Sequence, residues 1–310
     1  MILVTGAAGH IGKRLSGKLI DDGIDFIGID YVHNPDIPVY RCRKMDVRDR
    51  SVFDLIRENK VNSVIHMAFS TKPKMDLKTR YDIDINGSKN IAECAGKNGV
   101  KNVVFISSGR VYGNSSAPGG IYDKEGNYLN PGDDFYANDK IKAENIFIEA
   151  AAKYGFRLAI LRLGIVCWSG KGGGIGGMIK NTSENGRFIR LSGKNPPIPL
   201  VHVNDVINAS INAVGKEGIF DVYAKDKMTL SEIFSEAARL GGRKPFPITL
   251  PEKPAVAILW LLWKLGISPI PPLFVKMLGY DITRDVSKTI NILGKPAYTT
   301  HQIIADIVNG

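Results

Sequence analysis

Met1-Ile2-Leu3-Val4-Thr5-Gly6-Ala7-Ala8-Gly9-His10-Ile11-Gly12 opens the chain as a short apolar strand that runs straight into a glycine-patterned turn. Gly6 and Gly9 let the backbone approach an anion with no Cβ in the way, and Gly12 lets the next helix pack close to the strand. An anion in this turn meets free N–H groups at a helix N-terminus, on the positive end of the helix dipole. Leu15, Leu19 and Ile20 carry the spacing of that helix. A glycine pattern alone also describes an ordinary turn. The chain beyond the helix distinguishes the two readings. A second apolar run, Phe26-Ile27-Gly28-Ile29, ends in Asp30, roughly 20 positions beyond the glycines, where a carboxylate accepts from ribose hydroxyls. Strand, turn, helix, strand and acid in this order predict a dinucleotide site that includes Gly6, Ala8, Gly9, His10, Ile11, Gly12 and Asp30. Because Asp30 repels a 2′-phosphate, NAD is expected rather than NADP.

Outward from this unit, apolar runs at 2–4, 26–29, 63–67, 102–106 and 158–162 alternate with helix-compatible spacing at 51–59, 81–97 and 136–154. The alternation predicts an α/β fold, a Rossmann-type doubly wound parallel sheet with helices on both faces. Asp133 and Asp134, just after Pro131-Gly132, mark the start of the third of these helices. Beyond Arg162 the composition changes, with a glycine-rich loop at 170–177 and a turn-prone segment at 195–199. The expected division is a nucleotide-binding domain from 1–163 and 200–226 and a smaller C-terminal substrate-binding lobe from 164–199 and 227–310.

The 310 residues, 44% of them hydrophobic, suffice for a substantial core. Cys42, Cys94 and Cys167 are widely spaced and match neither a disulfide framework nor a zinc-ligand pattern, so buried free thiols and no metal are expected. A net charge of +10 suits phosphates, carboxylates or anionic lipid surfaces. No basic run is interleaved with aromatics, so nucleic acid is not an expected partner. Arg41, Arg43, Lys44, Arg48 and Arg50 are interrupted by Asp46 and Asp49 and read as a solvated face. The first strand begins at residue 2, which leaves no room for a signal peptide and points to a cytoplasmic location. The most apolar stretch, 255–267, is too short to span a bilayer, which takes about 20 residues. A buried helix is expected there. Trp260, Trp263 and Lys264, with Pro269, Pro271 and Pro272 beyond, keep open a hydrophobic lid or a peripheral membrane-surface helix.

Tyr136-Ala-Asn-Asp-Lys140 puts a phenol and an ammonium on one helix face. A phenol of pKa about 10 becomes a base near neutrality only if the phenolate is favoured by about 3 units, roughly 4 kcal/mol. Lys140 and an oxidised nicotinamide ring are the cations expected to supply this. Tyr40 to Lys44 and Tyr223 to Lys227 share the spacing. Only Tyr136 opens a helix that follows a strand ending in hydroxyls, Val103-Val104-Phe105-Ile106-Ser107-Ser108.

Together these residues resemble the extended short-chain dehydrogenase/reductase superfamily, in its branch of NAD-dependent epimerases, dehydratases and hydroxysteroid-type dehydrogenases. The resemblance rests on TGAAGHIG at 5–12, Asp30, Asp46-Val47, His66-Met67-Ala68, Asn86, SSGRVYG at 107–113, YANDK at 136–140, Arg162-Leu163-Gly164 and Val201-His202-Val203-Asn204-Asp205-Val206. It implies that Asp46 and Val47 flank the adenine, that Met67, Ala68 and Phe69 line the path to the nicotinamide, and that Asn86, Ser107 and Leu163 complete the cofactor set. By the same resemblance Ser108, Tyr136 and Lys140 are catalytic, Tyr136 and Lys140 also touch the cofactor, and Ser70, Ser108 and Ile165 face the substrate. The implied reaction is hydride transfer at an alcohol carbon, with Tyr136 taking the proton and Ser108 binding the oxygen.

Departures from the family pattern bear on the substrate. Gly109 and Arg110 stand where sugar-nucleotide 4,6-dehydratases carry an acidic pair, so that elimination lacks its acid and base. Ile165 and the stretch 197–200 replace an Asn and an Arg that epimerases use for the nucleotide. Lys171 and Arg187 remain as phosphate-binding candidates in the second lobe, although the glycines around Lys171 suit a surface loop. Three readings remain: an NAD-dependent sugar epimerase or related oxidoreductase; a dehydrogenase of a hydrophobic, hydroxysteroid-like or isoprenoid-like alcohol; and a non-catalytic dinucleotide-binding sensor or assembly module. The resemblance also implies a homodimer formed through helices such as 81–97 and 136–154.

Overall fold

Each apolar run of the first half becomes a strand of one parallel sheet. In the computed structural model, which describes residues 1–33, 38, 41–70, 75–113, 120–123, 125–170, 174–193, 195–266 and 281–310, the strands are β1 (Ile2–Thr5), β2 (Phe26–Asp30), β3 (Cys42–Lys44), β4 (Ser63–His66), β5 (Asn102–Ser108), β6 (Arg157–Leu163) and β7 (Gly218–Val222). Tyr40, Lys171, Pro269, Pro271 and Pro272 lie outside the described residues. The strands pair in the order β7-β6-β5-β4-β1-β2-β3, every pair parallel. The order reverses at β1, so the carboxyl ends of β1 and β4 flank the crevice where open α/β sheets bind ligands.

Two of these strands go beyond the sequence reading. β3 is an edge strand whose Arg43 and Lys44 are exposed, so charge that protects an edge hides its strand pattern. Among the described residues β7, Gly-Ile-Phe-Asp-Val, pairs only with β6.

Both faces of the sheet are covered, because alternate residues on each strand point to opposite sides. Val4, Ile65, Val104, Leu161 and Phe220 face helices α1 (His10–Asp21) and α7 (Val203–Asn212) through Leu15, Leu19, Val206 and Ala209. Leu3, Val64, Val103, Phe105 and Ile160 face α4 (Gly87–Lys97) and α5 (Phe135–Tyr154) through Ile91, Ala95, Ala143 and Phe147. Helix α2 (Val52–Glu58) joins the second cluster through Val52, Leu55 and Ile56. α4 is entered from the short helix α3 (Leu77–Tyr81) through one π-helical turn, Asp82–Asn86. Asp134 caps α5, accepting from the Ala137 N–H, and Gly155 in a left-handed conformation ends it.

A third cluster lies outside the sheet. Ile175 and Ile179 of α6 (Gly174–Asn185), Ile233 and Phe234 of α8 (Leu230–Leu240) and Ile303, Ile304 and Ile307 of α11 (Thr300–Asn309) pack with Phe188, Ile198 and Leu200. Capping boxes start α8 (Thr229 with Glu232) and α11 (Thr299 with Gln302). Between α8 and α11 run α9 (Glu252–Lys264) and α10 (Ser287–Leu293). Val286 and Leu293, at α10, pack instead against the sheet cluster.

The most apolar stretch forms α9, but the expected burial is not found: Ala255 is its one buried residue. The three cysteines are buried, and none forms a disulfide among the described residues. Among the described residues no helix is long and apolar enough to cross a membrane.

Candidate active site

The opening turn is built for close approach. Gly6 has φ +73°, and a Cβ there would lie 2.8 Å from the Ala68 nitrogen; a Cβ at Gly12 would lie 2.1 Å from the Gly6 oxygen. Gly6 and Ala7 donate their N–H groups to the Ile29 carbonyl, clamping the turn to β2. Gly9 precedes α1 in an extended conformation with no side-chain cap, so no N-cap side chain competes with a ligand for the first-turn N–H groups. His10 packs on Trp168 at 5.7 Å between ring centres, and Ile11 is half-buried. At the end of β2 the buried Asp30 carboxylate accepts from Ala8 N–H at 3.0 Å and Val32 N–H at 3.2 Å. A carboxylate has capacity for further donors such as a ribose diol. Uncapped N–H groups, a turn that excludes Cβ atoms and an acid at the second strand together fit a dinucleotide.

A buried polar string fixes the loop that follows β4. The Thr5 hydroxyl is 2.7 Å from His66 Nδ1 and accepts from the N–H groups of Met67 and Ala68 at 3.2 Å. His66 Nε2 is 3.1 Å from the Ser88 hydroxyl, which donates to the Asp84 carbonyl at 2.5 Å. Ser88 has spent its proton, so His66 donates from Nε2 and its Nδ1 accepts from Thr5. Burial, reinforced by the nearby Lys140 charge, pushes the imidazole down to about 3, which keeps it neutral.

On this base Phe69, Ser108, Tyr136 and Lys140 converge. Tyr136 meets Phe69 edge-on at 5.7 Å, and the Ser108 side chain, which accepts from the Arg110 N–H at 3.3 Å, lies beside the phenol and favours its ionised form. Lys140 Nζ donates to the Ile106 carbonyl at 2.6 Å and stands 3.5 Å from the Phe69 ring centre and 5.8 Å from that of Tyr136. Arg110 lies nearer the phenol, with its guanidinium carbon 4.7 Å from the ring centre, and is held by Asp134 at 2.6 Å. Burial pushes Tyr136 up to about 12, with the Arg110 charge and the Ser108 side chain pulling the other way. Arg110 thus joins Lys140 as a cation beside the phenol, a neighbour to which the sequence reading gives no such role. Burial drives the Lys140 ammonium well down, and drives Asp84 well up. Asp84 accepts from Ser70 N–H at 2.6 Å through Oδ1, while its buried Oδ2 has no hydrogen-bond partner among the described residues.

The remaining residues singled out by sequence take varied places. Asn86 is exposed and donates to Asp82 at 2.6 Å; the π turn aims Asp84, two residues earlier, inward instead. Ser107 turns away from Ser108 and donates to Glu144. Asp46 is gripped by Arg48 at 2.6 Å, and the same guanidinium reaches Asp82 at 2.5 Å. Val47 is buried against Gly87, where a Cβ would lie 2.6 Å from it. Leu163 ends β6 in register with Ser108. Half-buried Ile165 begins a short strand, Ile165–Cys167, paired with Leu200–His202. Tyr223 is buried, donating to the Arg284 carbonyl at 2.7 Å, so its YxxxK spacing serves structure.

Sequence reasoning assigns no role to Thr5, Ser88, Asp84 or Glu144. Their signal is tertiary, since each acts through a partner distant in the chain. Fully buried Arg162 of β6 pairs with Glu144 of α5 at 2.6 Å and Asp123 at 2.8 Å and donates to the Tyr112 hydroxyl at 3.2 Å. That hydroxyl donates to Asp221 at 2.9 Å.

Residues 2–223 match the family described as NAD dependent epimerase/dehydratase. A Methanocaldococcus jannaschii protein provisionally assigned as a UDP-glucose 4-epimerase is 30% identical over 248 residues, 76% of this chain and 80% of that protein. The Thermotoga maritima UDP-glucose 4-epimerase, solved with UDP-glucose, shares the fold at a TM-score of 0.76 and 20% identity, covering 99% of this chain and 97% of that one. The Thermus thermophilus UDP-glucose 4-epimerase, solved with NAD, does so at 0.75 and 22%, with coverage of 99% and 97%. The match extends from the first strand through the last strand of the sheet and takes in the turn, Asp30 and the Ser108, Tyr136, Lys140 cluster: the chain belongs to the NAD-dependent epimerase/dehydratase family of enzymes, with NAD as cofactor.

Proposed function

We propose that the protein is an NAD-dependent sugar epimerase acting at an alcohol carbon of a sugar nucleotide. The observation that carries this reading is the convergence of Ser108, Tyr136 and Lys140 beside the β1–β4 crevice. Relatives named as UDP-glucose 4-epimerases, one of them provisionally, support the substrate class.

In this reading Tyr136 accepts the proton of the substrate hydroxyl, and Ser108, beside the phenol, donates to the oxygen as it becomes a carbonyl. Arg110 and Lys140 stabilise the phenolate electrostatically. Phe69 walls one side of the phenol and limits water there. NAD, when bound through Asp30 and the turn at Gly6, Gly9 and Gly12, supplies the hydride acceptor and donor and adds a positive ring near the phenol. Residues 1–163 and 200–226 would hold the cofactor and 164–199 and 227–310 the sugar nucleotide, with Ser70 and Ile165 lining the substrate. The same reading has the enzyme working as a cytoplasmic homodimer, which light scattering of the purified protein checks.

The test is incubation with NAD and separate UDP-sugars, free sugars and lipid alcohols, following nicotinamide absorbance and product stereochemistry together. Epimerised sugar nucleotide without net NADH is the expected result. Stoichiometric NADH with released ketone would make the protein a dehydrogenase, and no turnover on any substrate would leave it a binding module; either outcome overturns the epimerase.

A further inference from the structure

The helix that ought to be buried is not. Helix α9 and its C-cap expose Trp260, Leu261 and Leu265 by 50%, 52% and 62%, although the helix is built from the most apolar stretch of the chain. Ile258, Leu261 and Leu265 recur at three- and four-residue spacing and so form one outward stripe. Lys253, Ala257, Trp260 and Lys264 run at the same spacing along one border of that stripe, and the Lys264 ammonium lies 4.9 Å from the Trp260 ring centre. A shallow cleft of about 400 Å³, lined by Glu252, Lys253, Val256, Ala257 and Trp260, opens on this helix.

The chain leading into α9 extends the same chemistry. Phe246 and Ile248 are exposed on the strand Phe246–Leu250, paired in register with exposed Arg187 and Ile189 on Arg187–Leu191. Exposed Arg190, Arg243 and Lys244 flank them. From Arg243 to Gly266 the chain carries four cations, Arg243, Lys244, Lys253 and Lys264, against the single acid Glu252. Exposed apolar patches of this kind mark an interaction surface.

From this we infer that α9 and the strand before it form a docking surface for an anionic lipid bilayer, on which the apolar stripe lies in the headgroup–acyl boundary. Charge complementarity selects this occupant. Lysines that border an apolar stripe reach up to anionic headgroups while their stems stay in contact with the acyl region. An indole placed between two lysines suits the same boundary. A second copy of the chain would bring this cationic face against itself, and like charges across an interface oppose association. The helix has 13 residues and so lies on the membrane rather than across it. This inference does not rest on the proposed epimerase activity.

The test is co-sedimentation of the full chain with vesicles of phosphatidylcholine alone or mixed with phosphatidylglycerol, at low and high salt. The expected result is capture by the anionic vesicles only, weakened by salt, with Trp260 fluorescence quenched by brominated acyl chains. Trp260→Ser with Leu261→Ser, and separately Lys253→Glu with Lys264→Glu, should each weaken capture at least about tenfold while leaving the circular dichroism and NAD binding unchanged. Both pairs are exposed, so neither threatens the fold. Absence of capture, capture that both variants retain, or a mass showing that this face pairs two copies in solution would each overturn the inference.

Discussion

Lys140 Nζ donates to the Ile106 carbonyl oxygen at 2.6 Å, tying the ammonium of α5 to the strand that ends in Ser108. The bond fixes the lysine over Phe69, one helical turn beyond Tyr136, so cation and phenol are held by one helix against one strand. Lys140→Met removes the charge and keeps much of the apolar stem. It should lower kcat by about 10²–10⁴-fold, in the range typical of acid–base machinery, whereas Tyr136→Phe should abolish turnover and leave NAD binding nearly intact. Steady-state kinetics with a calorimetric NAD titration checks both, and full activity of Tyr136→Phe would falsify the proposed proton transfer.

In the proposed dinucleotide site Asp30 is the residue expected to set cofactor choice. Its two bonds, to Ala8 and Val32, aim the carboxylate across the end of β2, and its charge opposes any phosphate placed there. Asp30→Asn retains the shape and removes the charge. NAD should bind about tenfold more weakly, in keeping with the loss of one charge-assisted hydrogen bond, while NADP should bind no worse or better. Equal weakening for the two cofactors would show that Asp30 holds the turn and does not choose the ligand.

The legibility of this molecule follows the length scale of each interaction. The turn from Gly6 to Gly12, Asp30, and the Tyr136-to-Lys140 spacing are local, and a sequence displays them directly. Ser108 can be matched to Tyr136 because a strand end and the next helix start are forced together by the sheet. Asp84 hides behind Asn86 because a π turn, not an α turn, decides which of the two faces inward. Arg110 reads in the sequence only as a missing acid, since its approach to Tyr136 depends on the remote Asp134 cap. The exposure of α9 is equally out of reach, because apolar periodicity does not say what covers a helix.

Arg162 offers a test of stability. Its side chain is fully buried, and its charge is balanced by Glu144 and Asp123. Glu144→Leu removes one of these partners and should destabilise the fold by about 3–5 kcal/mol, the usual effect of leaving a buried charge underpaired. Arg162→Met with Glu144→Leu removes both charges and should lose less than the two single changes summed. Urea unfolding of the four proteins measures the coupling directly. Additive losses would mean that the pair contributes no interaction of its own.

His66 should make the protein acid-sensitive. In the unfolded chain an imidazole takes up a proton near 6.5, whereas in the fold burial holds it down to about 3. Between these values the unfolded state binds a proton that the folded state refuses, so stability is complete above pH 6.5 and falls as the pH drops toward 3. One such proton corresponds to a slope of about 1.4 kcal/mol per pH unit. His66→Gln keeps an acceptor for Thr5 and a donor for Ser88 but does not titrate. The variant should be somewhat less stable at pH 7, and its unfolding free energy between pH 6 and pH 4 should decline less steeply, by about that one-proton slope. Carboxylates that also titrate in this range are common to both proteins and cancel in the difference. Parallel pH profiles for the two would mean that the string from Thr5 to Ser88 accommodates a charged imidazole.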